Sequence, residues 1–118
     1  MEDILYEAID RVRGAEIAGI IGTDGMGVEM VVADAEVPYD PEEVEIELAG
    51  LASFASLTTA RLDIGTLYDL ILEADDLTYL VSLIIPGYFA VLGVRSESNL
   101  GRARFAVRQM VARLQDEL

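Results

Sequence analysis

Residues Leu48 to Ala60 read LAGLASFASLTTA, thirteen positions without a charge in a chain whose formal net charge is -14. Placed on a helix at about 100° per residue, this run and its flanks carry two apolar sides. Val44, Leu48, Leu51, Ala55 and Leu62 fall on one side, and Ile46, Gly50, Phe54 and Leu57 fall nearly opposite. Ala49, Ser53, Ser56 and Ala60 form a strip of small residues between them. A surface helix of a small domain needs one apolar face against its own core. A second face has to be covered by something else, and this points to an interaction protein rather than an enzyme. The competing reading is that the core of the chain takes in the whole helix. With 118 residues and two further helices to cover its sheet, the chain has little room to do so.

Outward from that run, Asp40-Pro41-Glu42-Glu43 marks the start of the helix. Asp40 can accept from a free first-turn amide, Pro41 suits a position that needs no donor, and the glutamates favour the positive end of the helix dipole. The helix is expected to span Asp40 to Leu62. Before it, residues 2–13 read as a helix with Ile4, Leu5, Ala8, Ile9 and Val12 on one face and Gly14 as its stop. Ile17 to Ile21 reads as a strand, Gly22-Thr23-Asp24-Gly25 as a tight turn, and Val28 to Ala33 as the returning strand. After the central helix come strands over Leu67–Glu73, Thr78–Ile85 and Tyr88–Val94, separated by Asp75-Asp76 and Pro86-Gly87. Ser98 or Asn99 caps a last helix whose Leu100, Ala103, Val107, Met110, Val111, Leu114 and Leu118 make one stripe. Phe105 lies off that stripe, either folded against a neighbour or marking a contact point. The order α-β-β-α-β-β-β-α with hairpin-length turns predicts one domain over 1–118, built on an antiparallel sheet with helices on both faces.

Composition removes whole classes of chemistry. The chain has no Cys, no His and no Lys. Disulfides, thiolate zinc sites, His bases, Schiff bases and the Lys of a phosphate-binding loop are therefore absent. Gly19–Gly27, GIIGTDGMG, superficially resembles a phosphate loop, but no Lys-Ser or Lys-Thr follows and the next residues have strand character. No spacing suits a calcium loop, and no triad exists without His. The sequence therefore predicts no enzyme, no cofactor and no metal site. No run reaches the roughly 18 apolar residues of a membrane span, and the acidic start does not read as a secretory signal. A cytoplasmic location is the expectation.

The charge is unevenly distributed. Residues 34–47 hold seven acids and no Arg, whereas residues 102–113 hold four Arg and no acid. Strong net acidity repels nucleic acid and anionic membrane, so neither is an expected partner. The acidic run reads as a docking patch for a basic protein or as a solvated loop and helix start. The Arg cluster reads as a solvated helix face rather than an anion site.

The element order, the IIGTDGMGVEM hairpin, the small-residue central helix and SNLGRARF at the start of the last helix together resemble the Roadblock/dynein light chain family, its prokaryotic members in particular. Asn99-Leu100-Gly101 matches the family's last motif directly. The acidic segment Asp34–Glu47 departs from the family pattern. The resemblance implies an α/β (α+β, profilin-like, three-layer) fold. It has a five-stranded antiparallel sheet of order 2-1-5-4-3, with one helix on one face and two on the other. It also implies pairing through the second helix and the third strand as a homo- or heterodimer. The implied role is regulating or scaffolding a small Ras-like GTPase by biasing its switch conformation, or else serving as a light-chain-like structural adaptor. On that basis the expected dimer interface comprises Ala49, Ser53, Phe54, Ser56, Leu57 and Ala60 on the helix and Asp69, Ile71 and Glu73 on the strand. In the strand Tyr68, Leu70 and Leu72 face the other way. Arg61, at the end of the helix, is the candidate to reach a GTPase, although such an Arg ordinarily caps helix carbonyls.

Overall fold

A computed structural model describes residues 1–25 and 27–118; Met26, inside the expected first hairpin, lies outside the described residues. The elements are α1 (Glu2–Arg11), β1 (Ala15–Gly22), β2 (Glu29–Val32), α2 (Pro41–Arg61), β3 (Asp69–Glu73), β4 (Leu77–Ile85), β5 (Tyr88–Arg95) and α3 (Leu100–Gln115). The strands form one antiparallel sheet in the order β2-β1-β5-β4-β3. Helices α1 and α3 pack on one face and α2 on the other. This is the expected α+β architecture.

Local chemistry sets the element ends. The Asp40 carboxylate accepts from the Glu42 amide at 3.0 Å, with Pro41 in the first turn of α2. Asn99 accepts from the Arg102 amide at 3.0 Å, which makes Asn99, not Ser98, the cap of α3. Helix α1 stops at Arg11, two residues earlier than the periodicity suggests, because Val12 turns to extended backbone and is buried. Gly14, at φ +91°, then reverses the chain into β1. Strand β2 starts at Glu29, paired with Ile20, and leaves Val28 exposed. Strand β3 starts at Asp69 rather than Leu67, although the Tyr68 carbonyl still accepts the Leu83 amide at 2.8 Å.

The two sides of the sheet bury different cores. Leu5, Ile20, Leu92, Met110 and Leu114 are sealed between the sheet and the α1–α3 pair. Ile21, Leu48, Ala49, Ala52, Val81, Phe89 and Val91 form the core beneath α2. In β5, Gly93 lies between Ile17 and Tyr79. A Cβ there would come within 2.5 Å of Ile17 Cγ2 and 2.7 Å of Tyr79 Cε1, so a side chain would force one of them out. Helix α3 rests on β4 and β5 and against α1, whereas α2 rests mainly on β1 and β2. Val81 of β4 is buried in the core beneath α2, and Leu67, Leu70, Tyr79 and Leu83 pack half-buried against it, so the exposed part of this face is the β3 edge with Tyr68 and Leu72.

Candidate interaction surface on α2 and the β3 edge

Leu48, Ala49 and Ala52 of α2 are buried, with Val44 and Leu51 packed alongside. The small side chains of Ala49 and Ala52 let the helix backbone come close to the sheet. The inward face is therefore rotated from the one expected. Ala49, expected at a partner interface, is 5% exposed and belongs to this chain's own core. Leu62, expected on the inward stripe, is 64% exposed just past the helix end.

The second apolar side does face solvent. Phe54 is 68% exposed, Ile46 61% and Leu57 50%. Ser53 and Ser56 are half-buried, and Ala60 is exposed. Ile46, Gly50, Ser53, Phe54 and Leu57 border a hollow closed on its far side by Thr23 and Gly25 of the first hairpin. A Cβ on Gly50 would meet nothing within 4 Å, so the floor of this hollow is open. Two hydroxyls nearby are satisfied within the helix: Thr58 Oγ1 donates to the Phe54 carbonyl at 3.0 Å and Thr59 Oγ1 to the Ser56 carbonyl at 3.1 Å. Covering those two loses little hydrogen bonding to water.

Strand β3 is an edge of the sheet. Tyr68 bonds to Leu83, and an antiparallel ladder alternates, so the amides and carbonyls of Asp69, Ile71 and Glu73 point away from β4. The side chains of Asp69 and Ile71 border a hollow on the α3 side with Arg104 and Arg108, and the Ser82 hydroxyl donates to the Asp69 carboxylate. The expected interface residues therefore do not form one cluster of side chains. Those of α2 and those of β3 lie on opposite faces, joined only through the exposed backbone edge. On the α2 side of β3 lie Tyr68, Leu70 and Leu72, with Tyr68 65% exposed and Leu72 45%. The sequence alternation had placed these three on one face, but the expected interface omitted them. Ile64, in the loop before β3, is 69% exposed and was not singled out either. Arg61 is exposed in the last turn of α2, where its charge complements the dipole, and it forms no ion pair among the described residues.

Part of the acidic segment has a structural role. Asp34 accepts from the Glu36 amide at 3.0 Å, and Asp40 caps α2. The Glu45 carboxylate lies against Gly27, where a Cβ would collide with it. Burial there, with Glu42 nearby, pushes the Glu45 carboxyl above the usual carboxylate range. Tyr39 donates to Glu16 at 3.3 Å, and burial together with that charge pushes its phenol well up. Among the described residues no group of three or more His, Cys, Asp or Glu is placed to hold a metal ion, and no helix is long and apolar enough to cross a membrane.

These elements define a three-layer α+β domain with an edge strand near an exposed apolar helix face. Comparison with solved structures places it further: the fold is the Roadblock/LC7 fold. A Roadblock/LC7 domain from Streptomyces avermitilis superposes with a TM-score of 0.87 at 17% identity, over 99% of this chain and 96% of that one. MglC from Myxococcus xanthus gives 0.73 at 24% identity, over 99% and 98%. The gliding protein MglB from Thermus thermophilus gives 0.82 at 18% identity, over 99% and 89%. No family model matches the chain, and no curated protein matches it by sequence.

Proposed function

We propose that this chain is a non-catalytic, dimeric regulator or scaffold of a small Ras-like GTPase, acting in the cytoplasm. The half-covered α2 face carries the reading. Phe54, Leu57, Tyr68 and Leu72 are exposed on that face beside a free strand edge. A second copy placed across β3 continues the sheet and brings its own α2 beside the exposed side chains of the β3 edge. Two chains then share one extended surface, on which the part of both α2 helices that the pairing leaves exposed can grip a partner. A GTPase held there has its switch conformations biased by differential binding, with no bond made or broken by this chain. The likeness to MglB and MglC structures supports the reading at the level of fold.

Pairing centred on Ile71 sets Asp69 of each copy opposite Glu73 of the other. Like charges directly opposite weaken a strand pair, so the dimer tightens as salt rises. Sedimentation equilibrium across a salt series tests this, and a monomer at all concentrations would remove the proposal at its base. For the GTPase role, a Ras-like GTPase is loaded with GDP or a GTP analogue and titrated with the dimer. Affinity that differs between the two states supports regulation. Absence of state dependence moves the reading to a structural adaptor that pairs with another Roadblock-like chain.

A further inference from the structure

All eight basic residues are Arg, and seven of them lie away from α2: Arg11 at the end of α1 and Arg13 just after it, Arg95 at the end of β5, and Arg102, Arg104, Arg108 and Arg113 along α3. The acidic run, by contrast, leads into α2 on the opposite face of the sheet. The two charge patches therefore cannot neutralise each other within one chain. Glu7 binds both Arg11 and Arg113, and Glu97 binds Arg95. Among the described residues, Arg13, Arg102, Arg104 and Arg108 have no ion-pair partner.

Arg102, Phe105 and Arg108 follow each other at three-residue spacing, so they form one ridge on the outer side of α3. Phe105 at its centre is 60% exposed, which answers the question left open by the sequence: it is not folded against a neighbour. Beside it lies a depression lined by Arg11, Asn99, Gly101, Arg102, Phe105 and Ala106. From Asn99 and Arg102 a second hollow of mixed charge, lined also by Asp10 and Glu97, runs on to Arg13 and Arg95, past Ser98, whose buried Oγ has no hydrogen-bond partner among the described residues.

We propose that this ridge and its depression dock an acidic polypeptide segment of a partner protein, with carboxylates on Arg102 and Arg108 and an apolar side chain against Phe105. Guanidinium forks match carboxylates in a bidentate geometry, and an exposed aromatic between them supplies an apolar anchor. The charge of the whole molecule selects the size of the ligand. An extended polyanion such as nucleic acid or an anionic membrane spans well beyond the roughly 8 Å Debye length and meets the net charge of -14, whereas a short acidic segment meets only the patch. The site uses no residue of α2 or β3, although Arg108 also borders the hollow beside Asp69 and Ile71; peptide binding is read separately from sedimentation and nucleotide-state binding, so this proposal and the dimer and GTPase reading can fail separately.

The test is fluorescence anisotropy of the full chain with a labelled peptide of Asp and Glu around one central Leu, at low and physiological salt. The expected result is binding that weakens with salt, falls about tenfold or more in the double variant Arg102→Glu/Arg108→Glu, and falls about tenfold in Phe105→Ala. All three positions are exposed, and thermal melts of the variants check that the fold is retained. The proposal is overturned by no binding at low salt, by equal binding to both variants, by equal binding of the Asn/Gln version of the peptide, or by heparin or phosphatidylserine vesicles binding as tightly as the peptide.

Discussion

On one side of the sheet α1 and α3 lie together over the strands and seal Leu5, Leu92, Met110 and Leu114 completely or nearly so. On the other, α2 lies mainly over β1 and β2; Leu67 and Leu70 are half-buried, and Ile64, Tyr68 and Leu72 stay in solvent. Both sides are built from the same aliphatic material. The difference lies in how many helices are available for each: two cover the first face and one the second. The first face completes a core within one chain. The second keeps apolar side chains in solvent, and that is the surface the proposed dimer would cover.

Four experiments press on that contrast. The largest effect belongs to the sealed face. Leu114 has no exposed surface, so Leu114→Ala should cost about 2–5 kcal/mol of unfolding free energy in urea titrations, independent of protein concentration. Phe54→Glu on the open face should leave the monomer fold intact, because its side chain is exposed, yet place a charge in the proposed contact at a cost of about 3 kcal/mol or more to the dimer. Sedimentation should then show monomer; an unchanged dimer constant would show that the α2 contact is wrong. Ala49→Glu is no substitute, since Ala49 is buried and the variant would disrupt the chain's own core.

A smaller effect compares the helix caps. Asp40→Ala and Asn99→Ala each remove one side-chain acceptor at a helix start, and each should cost about 1 kcal/mol. Asn99→Ala should act at every protein concentration. Asp40→Ala, at the start of the helix proposed to pair, should also loosen the dimer.

The smallest effect is a pair of opposite pH responses. Arg11 and Arg113 beside Glu7 hold its carboxyl below the ordinary value of 4.5. Its stabilising contribution is present above that value and is lost as pH falls through the lower folded-state pKa. Glu45 is pushed the other way by burial and by Glu42. Its ionised form is the disfavoured one in the folded chain, so stability falls as pH rises from 4.5 through the raised pKa. Glu7→Gln should therefore destabilise at neutral pH and Glu45→Gln stabilise, and both differences should fade in acid melts. Equal signs would contradict the two environments described.

The element order was legible because each element announces itself locally. Asp40-Pro41 and Asn99 can each be read as a helix start from the residue types alone, and Asp24-Gly25 and Pro86-Gly87 as turns. The doubly apolar character of α2 was legible too, because periodicity reports how many sides are greasy. Which side turns inward was not. Ala49 and Ala52 face the sheet because small side chains allow close approach to β1 and β2, and a helical wheel gives no weight to that fit. In the same way, alternation separated Tyr68, Leu70 and Leu72 from Asp69, Ile71 and Glu73, but it could not say which set shares a face with α2.

The residue pattern by itself determined the succession of helices and strands, the absence of His, Cys and Lys chemistry, and an excess of apolar helix surface, since all three depend on neighbours along the chain. The tertiary structure alone decided where that excess lies: which strands α2 covers, which side chains of β3 stay exposed, and that Phe105 stands in solvent between Arg102 and Arg108, which have no ion-pair partner among the described residues. Those outcomes depend on how closely one surface can approach another, and that is fixed by the shapes of residues far apart in the sequence.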